Sequence, residues 1–340
     1  MLAATAILLA ACGAKVEEAQ ARGAIAEAAR PAAELRTPAS VRRLTGDGPT
    51  RVTMRNVNFH LSDRIVLHVR RLAGEMRSNA SGDPVHFDDK RSFSIHIESA
   101  EVGMSADALT ALLNDHVFAY PGAPLSRIRV EIEDGHVIQS GTLRKAMQVP
   151  FTITSTVAAM PDGRIRLHPV KTRIMGIGTR GLMRALDIEL EDVIDVSKAK
   201  GVSVKGNDLY LDPDSLLPPP RISGRVVAVR AEGNELVQTF GGARGANDTT
   251  SEGRGAGGNY MYYRGGTLRF GKLFMIDADM RIVDADTSDP FDFSIDRYNE
   301  QLVAGYSVTL PSLGLRVQMP DLGEVGEGRT KVAAAPARRP

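Results

Sequence analysis

From Arg51 to about Phe240, apolar residues recur at every second position in runs bounded by turn-forming residues. In "DRIVLHV", Ile65, Leu67 and Val69 alternate with Arg64, Val66 and His68. In "RSFSIHIESAEVGM", Phe93, Ile95 and Ile97 take one face and Ser94, His96 and Glu98 the other. "SRIRVEIEDGHVIQSGTL" sets Ile128, Val130 and Ile132 against Arg129, Glu131 and Glu133. Asp134-Gly135 then supplies the positive dihedrals of a tight hairpin turn. "VPFTITSTVAAMPDGRIRLHPV" repeats the design: Phe151, Ile153 and Val157 lead into Pro161-Asp162-Gly163, and Ile165 and Leu167 return. "RISGRVVAVRAEGNELVQTF" turns at Glu232-Gly233-Asn234. Period-two alternation gives each strand one apolar and one polar face.

Two segments break this period. In "MSADALTALLNDHVF", Ser105 is a good N-cap, and Met104 and Leu109 have the spacing of a hydrophobic staple. Leu109, Leu112, Leu113 and Val117 form one stripe. In "TRGLMRALDIELEDVID", Met183, Leu186, Leu190 and Val193 recur at helical spacing, with Asp187, Glu189 and Glu191 away from them. Each stripe suits a helix lying on a sheet. "LLPPPR" at 216–221 forces an extended connection. The predicted class is therefore α+β: a strongly curved antiparallel sheet over 51–240 wrapping one or two amphipathic helices. Further strands at 267–322 extend or cap it. Residues 241–266 hold nine glycines and read as a flexible loop. No GxxxxGK[ST] and no strand-to-helix context make that loop a phosphate cradle. Residues 13–50, rich in Ala, Glu, Arg and Pro, read as a flexible tether, and 323–340 as a disordered tail.

Composition narrows the functional classes. Forty-two basic residues face 41 acidic ones, so no strong field draws the chain to nucleic acid. Aromatic content is 5% without tryptophan, which argues against a surface for stacking bases or sugars. Residues 1–11 are almost all apolar or small, but as a helix they rise only about 16 Å, short of the roughly 30 Å of a bilayer core. Their length fits the apolar core of a secretory signal. Leu9-Ala10-Ala11-Cys12 resembles a bacterial lipobox, although no Lys or Arg precedes the run. That resemblance implies a signal peptide over 1–12, lipid attachment at Cys12, and a mature chain anchored on the periplasmic side of a bacterial membrane. Cys12 is the sole cysteine, so no second thiol is left to mispair in an oxidising compartment.

Catalytic chemistry finds little footing. The seven histidines form no HxH, HxxH or HExxH, and no GxSxG elbow occurs. Asp277, Asp279, Asp284 and Asp286 are weak metal candidates, in which each pair two apart shares a strand face. "DADTSDPFD" lacks the sixth-position glycine and closing glutamate of an EF-hand. No cofactor and no catalytic residue is expected.

One resemblance adds to this reading. The block from "MSADALTALLN" through "SRIRVEIEDGHVIQSGTL", "VPFTITSTVAAMPDGRIRLHPV" and "GLMRALDIELEDVI" to "KGVSVKGNDLYLDPDSLLPPP" resembles the LmeA-like phospholipid-binding proteins of the tubular lipid-binding (TULIP) superfamily. It spans about residues 52–240. The resemblance implies lipid held between a helix and a strongly curved sheet, without enzymatic activity. The expected function is binding, with exchange or transfer, of a phospholipid or other acyl-chain lipid. The groove candidates are Phe93, Ile95, Ile97, Leu109, Leu112, Leu113, Ile128, Val130, Ile132, Phe151, Ile153, Met183 and Leu186. Two alternatives stand beside it: a scaffolding envelope protein that binds a protein partner, and a metal-dependent hydrolase using the Asp-rich segment.

Overall fold

The computed structural model describes residues 48–144, 148–174, 189–241 and 258–325. The fold is mostly β, built on a strongly curled, largely antiparallel half-barrel sheet. The chain begins with β1 (Thr50–His60), β2 (Val66–Ser78), β3 (Val85–His86) and β4 (Phe93–Ser105). Helix α1 (Ala106–Leu112) follows and widens into a π turn over Leu113–Val117. Next come β5 (Leu125–Glu133), β6 (His136–Arg144), β7 (Gln148–Ala159) and β8 (Ile165–Ile174). The short helix α2 (Leu190–Val193) precedes β9 (Val202–Lys205) and β10 (Asp208–Leu211), and helix α3 (Pro213–Leu216) follows them. The chain continues through β11 (Arg221–Ser223), β12 (Val226–Glu232), β13 (Glu235–Phe240), β14 (Tyr260–Phe270) and β15 (Leu273–Asp284). It closes with β16 (Phe291–Ser294), α4 (Tyr298–Ala304), β17 (Tyr306–Thr309) and β18 (Leu315–Met319).

These strands divide between two sheets. The larger runs β12-β13-β4-β2-β1-β14-β15-β18-β17, with β11 on β4, β16 on β1 and β3 on β14. The smaller runs β5-β6-β7-β8-β10-β9. The period-two runs between 125 and 211 thus form a sheet of their own, an excursion from which the chain returns at β11. Strands after the Gly-rich stretch lie inside the larger sheet, because β14 pairs directly with β1.

The turns follow from their residues. Asp134 and Gly135 both have positive φ, 48° and 74°, as a two-residue hairpin loop between β5 and β6 requires. Asn56, at φ 50°, divides β1. Before it, Arg51–Arg55 pair antiparallel with β14; after it, Val57–His60 pair parallel with β16. A second irregularity lies across the β14–β15 hairpin. Gly265↔Ala278 and Thr267↔Ile276 are partners, which leaves Gly266 and Asp277 unpaired. Gly266 and Asp277 have φ of 60° and 53°. The burial phase shifts there: Met261 and Tyr263 face the core before the kink, Leu268 and Phe270 after it.

Tyr260–Gly266 is strand, not loop. The run Tyr260-Met261-Tyr262-Tyr263 has strong β preference, which the surrounding glycine count obscures.

Helix α1 sits where the chain crosses between sheets. The Ser105 hydroxyl accepts a hydrogen bond from Ala108 N at 3.1 Å, the N-cap its sequence predicts. On the far side, Val130 N donates to Thr110 Oγ1 at 2.9 Å. Asn114 accepts from Ile128 N at 3.0 Å and donates to Ile128 O at 2.7 Å. These bonds join the helix to the edge strand β5 of the smaller sheet. Ser105→Ala is expected to cost about 1 kcal/mol, read as a lower urea midpoint with unchanged slope.

The predicted second helix fares differently. Met183 and Leu186 lie outside the described residues; of its C-terminal part, Leu190–Val193 is helical. Cys12 also lies outside them. Among the described residues, no helix is long and apolar enough to cross a membrane.

Candidate functional site

The inner face of the larger sheet carries an apolar cleft. Its floor is Met54 and Phe59 of β1, Leu67, Val69 and Leu72 of β2, and Ile95, Ile97, Val102 and Met104 of β4. Phe240 of β13 and Ile222 of β11 close the side, and Pro213, Leu216 and Leu217 cover it. Gln238 is the single polar residue of the lining. The cavity measures about 50 Å³. A water-sized group needs about 10–15 Å³ on this measure, so the space admits about four of them.

The cover is held by specific bonds. Asp212 caps α3 by accepting from Asp214 N at 3.2 Å, and its own amide donates to Gly201 O at 2.8 Å. The Asp214 carboxylate accepts from Gly224 N at 3.0 Å, tying α3 to the link between β11 and β12. Gly201 has φ 66°, and a Cβ there would lie 2.6 Å from Leu216 N. Only glycine lets the 199–201 turn approach the cover so closely.

Of the sequence-predicted groove residues, Ile95 and Ile97 line the cleft. Phe93 is fully buried against Phe87, with ring centroids 5.5 Å apart. Leu109, Leu112 and Leu113 are buried on α1 and its π turn, and Ile128, Val130 and Ile132 are buried on β5. Phe151 and Ile153 are buried on β7 of the smaller sheet. These residues belong to the core but not to the cleft lining. The cover is absent from the groove residues that alternation predicts. Its signal was present: Leu216 and Leu217 sit between Pro213 and a proline run, apolar residues in a segment that cannot extend as a helix.

The aspartates do not converge. Asp279 accepts from the Tyr262 hydroxyl at 3.0 Å and from the Ser312 hydroxyl at 3.2 Å. Asp277 is exposed, and its left-handed backbone interrupts the alternation meant to align it with Asp279. Asp284 is buried at the end of β15, whereas Asp286 is exposed beyond that strand. Asp284 accepts from Asn259 Nδ2 at 2.8 Å, and burial pushes its carboxyl up. Asp286 accepts from Ser288 N at 2.9 Å, which holds its carboxyl down. Among the described residues, no group of three or more His, Cys, Asp or Glu could hold a metal ion.

Charge is concentrated on the outer face of the larger sheet instead. Arg70 bridges Glu101, Glu232 and Glu235, and Arg230 bridges Glu101 and Glu232. His68 meets Glu235 at 2.9 Å. Each of these side chains already has partners, so the network serves strand pairing and is no candidate catalytic set.

Compared with protein-family models, curated proteins and solved structures, the chain gives no match to any.

Proposed function

We propose that this is a non-enzymatic cell-envelope protein that binds the acyl chain of a membrane lipid in the cleft under α3, held near its membrane by a lipid on Cys12. The cleft carries the proposal: an apolar space whose lining has one polar side chain, covered by a short, separately bonded segment. The leader pattern and the TULIP-like order of elements support the same reading.

Magnitudes set how such binding would work. About four methylenes fit the cleft as it stands, worth roughly 3 kcal/mol at about 0.8 kcal/mol each. That corresponds to an affinity no better than millimolar. A full chain of about sixteen carbons would gain on the order of 10 kcal/mol against water, but only with α3 lifted from the sheet. The closed form is thus the resting state and lipid capture an opening event. A bilayer buries the tail equally well, so the protein would exchange lipid rather than trap it.

The experiment is organic extraction and native mass spectrometry of purified protein, with displacement of a fluorescent fatty-acid analogue. Wild type is expected to bind, and Val102→Phe, which fills the cleft from β4, to lose binding while keeping its far-ultraviolet spectrum. The scaffolding alternative draws on the dense packing of the other groove candidates. Clean protein, with no analogue binding in either form, would decide for it.

A further inference from the structure

A second pocket lies at the opposite sheet, where β5 begins and β6 ends. It measures about 360 Å³ and is lined by the 118–123 loop, Asn114, Leu125, Ser126, Arg127 and Arg144. We propose that this pocket binds an anionic group of the phosphate class, gripped by Arg127 and Arg144.

The backbone makes the first argument. Arg127 has φ 52°, a left-handed conformation costly for a residue with a Cβ. The β5–β6 register shifts between Ser126 and Arg129, so Arg127 sits in a bulge that removes it from the ladder. Bulges re-aim side chains, and left-handed non-glycine residues gather where a side chain must be held in a given place. An arginine here has no packing role to offset the strain, because it is exposed.

The charges make the second. The Arg127 guanidinium donates to Thr142 Oγ1 at 3.0 Å and to Gln148 Oε1 at 3.1 Å. Both partners are neutral, so the group is oriented without being neutralised. Arg144 is fixed by its backbone, whose N–H donates to Pro124 O at 2.7 Å and clips the loop against the strand end. Asn114 is committed to Thr110 and Ile128 and acts as a wall. Among the described residues, no carboxylate lines the pocket. Burial, together with the charge of Asp195, raises the Tyr120 hydroxyl. Two planar forks around a space of this size match the oxygens of a phosphate better than the point charge of a halide.

The test uses the full chain in low-salt buffer. Inorganic phosphate is expected to raise the melting temperature and to give a titratable heat, whereas chloride at equal ionic strength is not. Glycerol 3-phosphate, a lipid headgroup without acyl chains, separates a headgroup from the free ion: tighter binding than inorganic phosphate assigns the headgroup, equal binding the free anion. Arg144→Gln is expected to weaken phosphate by about tenfold, the loss of one charge-assisted hydrogen bond. Arg127→Gly relieves the left-handed strain, so it is expected to hold or raise the melting temperature while abolishing the phosphate response. Binding that is absent in wild type, or unchanged in both variants, overturns the proposal and leaves two solvated surface arginines. None of these readouts involves the cleft under α3, so the two proposals stand or fall separately.

Discussion

Phe87→Ala is expected to destabilise the protein by about 3–5 kcal/mol, the cost of emptying a closed aromatic site. Phe87 follows the two-residue strand β3, and its amide donates to Arg269 O at 2.9 Å. Its ring meets Phe93 of β4, Tyr263 and Phe270 of β14, Phe293 of β16 and Tyr298 of α4, with centroids 4.9–6.3 Å apart. One side chain thus ties together early strands and elements more than 170 positions later in the chain. The Tyr298 hydroxyl locks the far side: it donates to Asp88 Oδ1 at 2.6 Å and accepts from Gly271 N at 2.8 Å. Partial collapse into the hole is resisted, because these rings stand on separately bonded backbones. Against a typical total of 5–15 kcal/mol, the loss leaves a marginal fold. Urea unfolding should show the midpoint fall with unchanged slope, and Phe87→Leu should recover more than half of the loss. A loss under about 1 kcal/mol in the alanine variant would mean that the cluster is not the packed centre described above.

Phe87 also marks the limit of what patterning reveals. Alternation located β2, β4, β5 to β8, β12 and β13, because a strand with one buried face must repeat with period two. The caps and turns were legible for the same reason, each needing a particular side chain or dihedral: Ser105, Asp134-Gly135 and Gly233. Partnership between strands was not legible. β1 meets β14 across more than 200 residues, and that pairing depends on the excursion into the second sheet, which local pattern does not encode. A loop residue such as Phe87 has no periodic neighbours, so its burial cannot be read from spacing. The cleft was legible only in part. Ile95 and Ile97 were found because they alternate, whereas Leu216 and Leu217 lie in a proline-bounded segment with no period to betray its packing. The Asp-rich segment misled in the other direction: spacing by two suggested a shared face, but the left-handed backbone at Asp277 and the end of β15 at Asp284 broke the phase.

Carboxylates around that segment nonetheless give the protein a pH dependence of definite sign. Asp321, half-buried just after β18, accepts from Asp292 N of β16 at 2.6 Å. Burial, reinforced by the charges of Asp284, Asp292 and Asp289, pushes its carboxyl from an ordinary 3.8 up to about 7. A folded-state value above the unfolded one means the native protein binds this proton more tightly. The stabilisation is complete below about pH 3.8, falls as pH rises, and is lost once pH passes about 7. Asp292 acts oppositely. Hydrogen bonds from His60 and Asn58 hold its carboxyl down, so its contribution exists above its ordinary value and is lost in acid. The wild-type curve alone mixes these terms, and the informative quantity is the difference from Asp321→Asn. The amide keeps an acceptor for Asp292 N but carries no charge at any pH. Holding the carboxyl at about 7 instead of 3.8 corresponds to about 4.4 kcal/mol, at about 1.36 kcal/mol per pH unit. Discounted to about a third for water access and screening, it leaves about 1.5 kcal/mol. Asp321→Asn is therefore expected to be more stable than wild type at about pH 8 by that amount, and near parity at about pH 4. Urea midpoints across that range decide the matter. A difference that stays flat with pH, or one that grows toward acid, would place the Asp321 proton in water and not in the fold.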